Sequence, residues 1–364
     1  GLVGSEMCIR DSNYFSTIDT GQSICGPDAD SGCRGADSAE EFTRQHEKII
    51  TALAMMDADI VAVIELENNA SDSLQTIVDG LNTRVGAGTF AFIDTGTIGT
   101  DAIKVGLLYK PAMVQPVGAF AVLDRSVDVR FNDNRSRPVL AQTFDTVSGD
   151  ERFTVLVNHL KSKGSSCESD GDPDIGDGQG NCAATRTMAA AAMIDWIATD
   201  PTSSGDSDFL VTGDFNTHTM GDAMTRFESA GFINVAESFI GGDAYSFEFG
   251  GQFGALDHAM ASPGLAAKVV DHHIVHGRRL VRPEVHEGQP LLERRSVRHR
   301  DRASVRPRVV LDHDVVAAAV GGTQLILHPR LQPPQLGLDL MGDTGDLVPP
   351  NTVNGRPTLV QGTE

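Results

Sequence analysis

Asp59-Ile60-Val61-Ala62-Val63-Ile64-Glu65 is the stretch on which the fold turns. Its apolar run from Ile60 to Ile64 is short, unbroken and not alternating, which is how a strand reads when both of its faces are covered. The carboxylate of Glu65 stands at its end. Upstream, Ser38 followed by Glu41 makes a capping box, and Phe42, Ile49, Ile50, Leu53 and Met56 recur behind it at helical spacing. A helix, the Asp57-Ala58 turn and a doubly covered strand therefore follow one another. Residues 103–109, 139–144, 153–157 and 209–212 read as further strands, and 183–198 as an Ala-rich helix with Trp196 on its apolar face. Strands mixed with helices, with polar residues at the strand ends, indicate a layered α/β domain with a site along the sheet edge.

The 364 residues carry 50 Asp and Glu against 29 Lys and Arg, a formal net charge of −21. That sign excludes a broad basic surface for nucleic acid, because neutralising phosphates needs Lys and Arg. Any such ligand must be gripped locally, with cations helping. No run of roughly 18 apolar residues occurs, so no membrane-spanning helix is expected, and nothing in the sequence calls for an obligate protein partner. Cys25 with Cys33 and Cys167 with Cys182 form two short-range pairs in Gly- and Asp-rich loops, with Cys8 left over. Neither spacing is that of a zinc ribbon or a redox motif, so two local disulfides are expected, with buried free thiols as the alternative. Disulfides imply an oxidising compartment and a secreted protein, with a secretory signal expected upstream of Gly1. Residues 1–12 have no strand or helix pattern and read as a suspect, non-native segment.

Four stretches carry chemistry. Val211-Thr212-Gly213-Asp214-Phe215-Asn216 ends a strand with a carboxylate and an amide two residues apart, on one side if the chain stays extended. Such a pair can deprotonate or orient a water, as phosphodiester hydrolysis requires, although G-D-x-N is also an ordinary turn. Glu65, at the end of a buried strand, is a natural hard-cation ligand, with Glu67 on the same face as a supporting group. Val157-Asn158-His159-Leu160-Lys161-Ser162-Lys163 ends another strand in an imidazole followed by two ammonium groups, suited to phosphate oxygens. Gly254-Ala255-Leu256-Asp257-His258 places a carboxylate where it can hold the imidazole of a general base in its useful tautomer.

Together, D-I-V-A-V-I-E at 59–65, N-H-L-K-S-K at 158–163, G-D-F-N at 213–216 and L-D-H at 256–258 resemble the endonuclease/exonuclease/phosphatase, or DNase I-like, superfamily over about residues 13–275. The text around Asn13-Tyr14-Phe15, the two cysteine loops and Arg135 to Pro138 resembles its secreted bacterial extracellular-nuclease branch. The resemblance implies a four-layer α/β/β/α sandwich with two mixed sheets. It implies that Glu65 binds a catalytic Mg²⁺ or Mn²⁺, that His159 contacts the scissile phosphate, that Asp214 positions or deprotonates the attacking water and that Asn216 orients it. Asp257 would pair with a general-base His near the end of the domain. Arg137 and Lys161 are the cations expected to bind phosphate, whereas Arg135 and Arg186 read as ordinary surface charge. Asp170, Asp172, Asp174 and Asp177, in the loop between Cys167 and Cys182, could bind Ca²⁺ or form a solvated acidic loop.

Two departures qualify the resemblance. The family's opening strand carries an S-F-N motif whose Asn helps hold the metal, and its place here falls on Arg10. The closing S-D-H-D-P motif is not intact; the in-frame candidate for its base is His313, in Leu311-Asp312-His313-Asp314. Composition changes near Gly277: no Lys follows Lys268, and Arg and Pro become frequent. The chain accordingly divides into 1–12, a catalytic domain over 13–276 and an out-of-frame or disordered tail over 277–364. The expected activity is metal-dependent cleavage of DNA or RNA. The alternatives are a phosphatase or lipid phosphodiesterase of the same superfamily, or a catalytically impaired fragment.

Overall fold

A computed structural model describes residues 13–149, 151–249, 252–269, 274–275, 317–320 and 324–325. The segment 1–12, with Cys8 and Arg10, lies outside them, as do His313 and most of 277–364. In chain order the elements begin with the short strands β1 (Ser23–Cys25) and β2 (Ser31–Gly32), then α1 (Ala39–Met56), β3 (Ile60–Glu67), α2 (Asp72–Val85), β4 (Ala91–Phe92), β5 (Ile103–Tyr109) and β6 (Val114–Leu123). There follow β7 (Arg137–Thr146), β8 (Arg152–His159), α3 (Ala183–Ile197), β9 (Phe209–Asp214), α4 (Asp222–Ser229), β10 (Ile233–Asn234) and α5 (Val235–Ile240). The last are β11 (Phe247–Phe249), β12 (Gln252–Gly254), β13 (Asp257–Ala261), α6 (Pro263–Ala266), β14 (Ile274–Val275), β15 (Ala317–Val320) and β16 (Gln324–Leu325).

Local signals account for the first helix and strand. The Ser38 hydroxyl accepts from the Glu41 amide at 3.3 Å, satisfying one of the donors a helix leaves open at its start. Glu41 reaches back to the Asp37 amide at 3.2 Å, one residue earlier than a reciprocal box requires. α1 buries Ile49, Ile50, Leu53 and Met56 and stops at Asp57, whose φ of 53° breaks the helix. In β3 all residues from Ile60 to Ile64 are buried, as the uninterrupted apolar run predicts.

Two mixed sheets result. One has the order β15-β3-β5-β4, with β15 parallel to β3 through Ala317↔Ile60 to Val320↔Val63. The other has the order β10-β13-β9-β8-β7-β6, in which β8 and β9 are parallel and all other neighbours antiparallel. Alternation along the second sheet divides its side chains between two cores. Leu140, Val155, Val157 and Leu210 pack with Val61, Val105 and Leu107 of the first sheet, and this core also contains Leu53 of α1 and Ile77 of α2. Ala141, Leu156, Val211 and Met260 point to the other side, against Met193 and Trp196 of α3 and Met224 and Phe227 of α4. The domain is therefore α/β, with mixed sheets flanked by helices. β6 gave no clear strand signal because Pro116 and Gly118 interrupt it; it is an edge strand, where a missing donor is tolerated.

Both disulfides are present, Cys25–Cys33 and Cys167–Cys182. The first packs with Phe15 and Ile103 in a small core of its own. The second closes the Gly- and Asp-rich loop that leads into α3.

Candidate active site

Four neighbouring strands of the six-stranded sheet bring their polar ends into one row. Arg137, first in β7, is the register partner of His159, last in β8. His159 is the partner of Asp214, last in β9, and Asp214 the partner of Asp257, first in β13. β8 and β9 are parallel and leave the sheet at the same edge, where α/β folds characteristically build sites. The antiparallel β7 and β13 enter there. One sheet edge thus presents Arg137, His159, Asp214 and Asp257 side by side, each on its own strand.

Glu65 reaches this row from the other sheet. The pairing of β3 with β5 is irregular between Val63 and Leu66, and Glu65 itself has φ 59°. A bulge of this kind re-aims a side chain, and a left-handed non-glycine residue costs about 1–2 kcal/mol unless its surroundings hold it. Tyr14 supplies that hold: its amide donates to the Glu65 carbonyl at 2.9 Å and its carbonyl accepts from the Glu67 amide at 2.8 Å. The outcome is a distance of 4.0 Å between the Glu65 carboxylate and His159 Nε2, which also lies 3.9 Å from Asp214 Oδ2.

Asn216 joins them by a different route from the one alternation predicts. β9 ends at Asp214, and Asn216 has φ 49°, so the segment turns instead of staying extended. The turn lets the Asn216 amide donate to Asp214 Oδ1 at 2.7 Å while its side-chain Nδ2 donates to Asp214 Oδ2 at 3.1 Å and to the Leu160 carbonyl at 3.0 Å. These donors favour the ionised carboxylate. The Leu256 and Asp257 amides both donate to the Ser246 hydroxyl, at 2.9 and 3.1 Å, which fixes the start of β13.

The cations divide. Arg137 is nearly buried, 3.4 Å from Asp101, and its charge is felt by Glu65 and Asp214; burial pulls its pKa down and those carboxylates oppose the effect, with Asp101 foremost. Lys161 is half-buried, and burial followed by the neighbouring Arg137 and Arg135 lowers its pKa. Arg137 and Lys161 are thus two adjacent positive charges at the row. Lys163 instead donates to the Gly178 carbonyl at 3.1 Å, and Arg135 pairs with Asp170 at 2.6 Å.

Three expectations change. Arg186 is not surface charge: its side chain is 1% exposed. The signal was in the sequence, since Arg186, Ala189, Ala190, Met193 and Ile197 share one helical stripe, and that stripe is buried. Glu67 does not support Glu65, because its carboxylate accepts from the Ser16 hydroxyl and the Thr17 amide, both at 3.0 Å. The acidic loop serves itself: Asp172 accepts from the Ala184 and Thr185 amides, Asp174 from the Gly176 amide and Asp177 from the Gln179 amide. Among the described residues no group of three or more His, Cys, Asp or Glu is arranged to hold a metal ion.

The sequence matches the family described as the Endonuclease/Exonuclease/phosphatase family over residues 28–304. The chain belongs to this family. No curated protein matches it significantly. Among solved structures, an endonuclease/exonuclease/phosphatase family protein from Bacteroides thetaiotaomicron is similar at 15% identity and TM-score 0.45, over 65% of this chain and 81% of that one. The human Nocturnin catalytic domain with bound sulfate is similar at 16% identity and TM-score 0.42, over 63% and 77%. D. rerio TDP2 complexed with a single-strand DNA product is similar at 13% identity and TM-score 0.41, over 65% and 84%. The endonuclease/exonuclease/phosphatase family is hydrolytic and its members usually use divalent metals. The donor chemistry here suits one: Glu65 and Asp214 offer hard oxygens, and Mg²⁺ characteristically takes only one or two protein carboxylates, completing its shell with water and substrate phosphate.

Proposed function

We propose that this protein is a metal-dependent phosphodiesterase, a secreted nuclease that hydrolyses DNA or RNA. The observation that carries the reading is the convergence of Glu65 and Asp214 on His159, at 4.0 and 3.9 Å, from strands of two different sheets. Glu65 holds Mg²⁺ or Mn²⁺ with help from the substrate, and the ion's part is to polarise the phosphoryl oxygens. His159 donates a hydrogen bond to a non-bridging oxygen. Arg137 and Lys161 anchor the phosphate, and their two charges offset locally the net −21 of the chain. Asp214, kept ionised by Asn216, takes the proton of the attacking water or orients it. Asp257 is placed to steady the imidazole of a general base, a role assigned to His313. The catalytic domain on this reading is 13–276, arranged as four α/β/β/α layers. The two disulfides support export to an oxidising compartment. Among the described residues no helix is long and apolar enough to cross a membrane.

A phosphatase or lipid-phosphodiesterase activity is the second reading, favoured by the net charge of −21, which suits a small phosphoester better than a long polyanion. The test is cleavage of supercoiled plasmid and of a single-stranded oligonucleotide with Mg²⁺, beside an inositol phosphate and a sugar phosphate. Glu65→Ala and Asp214→Ala should each abolish hydrolysis of whichever substrate is used, and chelation should do the same. Cleavage that survives both substitutions would remove this site from consideration. A wild-type chain that hydrolyses none of the four substrates would mark it as a catalytically impaired member.

A further inference from the structure

Arg186 is a buried cation with an unusual set of partners. Among the described residues no carboxylate forms an ion pair with it. Its donors go instead to oxygens from three separate segments. Nε donates to the Thr217 hydroxyl at 3.1 Å, and Nη1 donates to the carbonyls of Lys161 at 3.1 Å and Asn181 at 2.7 Å. Nη2 donates to the Gln179 carbonyl at 2.7 Å. Lys161 lies two residues beyond His159, and Thr217 is the residue after Asn216. Gln179 and Asn181 belong to the loop that Cys182 closes with Cys167.

The ties continue past Arg186. The Thr217 hydroxyl, while accepting from Arg186, donates to the Phe215 carbonyl at 3.0 Å, and the Thr217 carbonyl accepts from His258 Nε2 at 2.8 Å. The Leu160 carbonyl, next to that of Lys161, is held by Asn216. A single guanidinium therefore joins the exits of β8 and β9, with β13 attached through His258, and fastens all three to the disulfide loop. For stability alone a buried charge is a poor choice, since an apolar group of similar volume serves as well or better. What a planar fork of donors supplies is fixed geometry among several acceptors at once.

Building on the phosphodiesterase reading, we propose that Arg186, backed by the Cys167–Cys182 loop, is a positioning residue: it sets His159 and Asp214 relative to each other without touching substrate. Displacement of a reacting group by about 1 Å costs on the order of a hundredfold in rate. The effect therefore falls on turnover. Substrate affinity, which rests on the Arg137 and Lys161 side chains, changes little.

The experiment uses the full chain with Mg²⁺ and an oligonucleotide, and compares wild type, Asp214→Ala, Arg186→Gln, Arg186→Lys and Arg186→Ala with and without millimolar guanidinium chloride. The folded fraction is read from Trp196 fluorescence. The expected result, per folded molecule, is a kcat lowered on the order of a hundredfold in Arg186→Gln with KM within about threefold of wild type. Arg186→Lys, which keeps the charge and loses the fork, should be intermediate, and added guanidinium should restore part of the kcat of Arg186→Ala. A kcat unchanged in folded Arg186→Gln overturns the proposal, as does a loss that only tracks the folded fraction. If Arg186→Gln and Arg186→Ala do not fold, Arg186→Lys decides: wild-type kcat overturns the proposal, and a lower kcat at unchanged KM supports it. A wild type that cleaves nothing, or an Asp214→Ala that still cleaves, refutes the phosphodiesterase reading itself and the proposal with it. Activity that depends on Asp214 but not on Arg186 refutes the proposal alone.

Discussion

Gly213 sits between the strand and the carboxylate of the Val211-to-Asn216 motif, and replacing it with Ala probes the row of polar strand ends more sharply than removing any member of it. Its φ is +134°, and a Cβ built there would lie 2.0 Å from the Asn158 carbonyl oxygen, 3.0 Å from its carbon and 3.1 Å from its nitrogen. All three atoms are backbone of β8, so no side chain can rotate away, and β8 and β9 must separate by about 1 Å to reach a tolerable contact. The backbone strain costs about 1–2 kcal/mol. Parting the strands where Leu160 donates to the Asp214 carbonyl at 2.9 Å forfeits one or two further hydrogen bonds, at about 1 kcal/mol each. Gly213→Ala should therefore lose about 3–4 kcal/mol, a large share of a typical domain's stability, and its kcat should fall on the order of a hundredfold because His159 and Asp214 move apart. Gly88→Ala is the control: its φ is +74° with nothing within 4 Å of the added carbon, so it should lose only about 1 kcal/mol. Urea unfolding followed by Trp196, the only tryptophan of the chain, gives the stabilities, and oligonucleotide cleavage gives the rate. A Gly213→Ala protein as stable as Gly88→Ala and within about twofold of wild-type kcat would refute the close approach of β8 and β9.

Two buried titratable groups lead to pH predictions of known sign. Burial lowers the pKa of His258 to about 4. The unfolded chain takes up that proton near pH 6.5 and the folded chain does not, so stability falls as pH drops from 6.5 towards 4, by up to about 1.4 kcal/mol per unit. His258→Gln should flatten the denaturation midpoints over that window, and an unchanged slope would show that the imidazole is not buried and neutral. Burial also lowers Lys104 to about 8, although its ammonium donates to the carbonyls of Asn69, Ala70 and Gly96. Here the folded chain releases its proton first, so stability rises between pH 8 and 10.5, and Lys104→Met should abolish that rise; a rise of the same size in the variant would sink the assignment.

Much of the domain was legible because its signals are local. The capping box and apolar stripe located α1, the unbroken run located β3, and residues 103–109 coincide with β5. Glu65, His159, Asp214 and Asp257 could be read as strand-end residues because an apolar run beside each of them broke at a polar residue. Arg186 was misread although its helical stripe pointed inwards, since a charged side chain is presumed exposed unless its partners are known. Its partners are carbonyls of loops 5, 7 and 25 residues away in sequence, together with a hydroxyl 31 residues away. No local pattern encodes such pairings.

The sequence by itself determined which residues form strands and helices, which faces of them are apolar and which strands end in a carboxylate, an amide or an imidazole, because each of these depends on neighbours within a few positions. Only the tertiary structure decided that Arg137, His159, Asp214 and Asp257 stand in one row, that a bulge held by Tyr14 turns Glu65 towards them, and that a buried guanidinium fastens the strand exits. Those depend on register between strands and on contacts between sheets, where a shift of one residue would send every side chain to the opposite face.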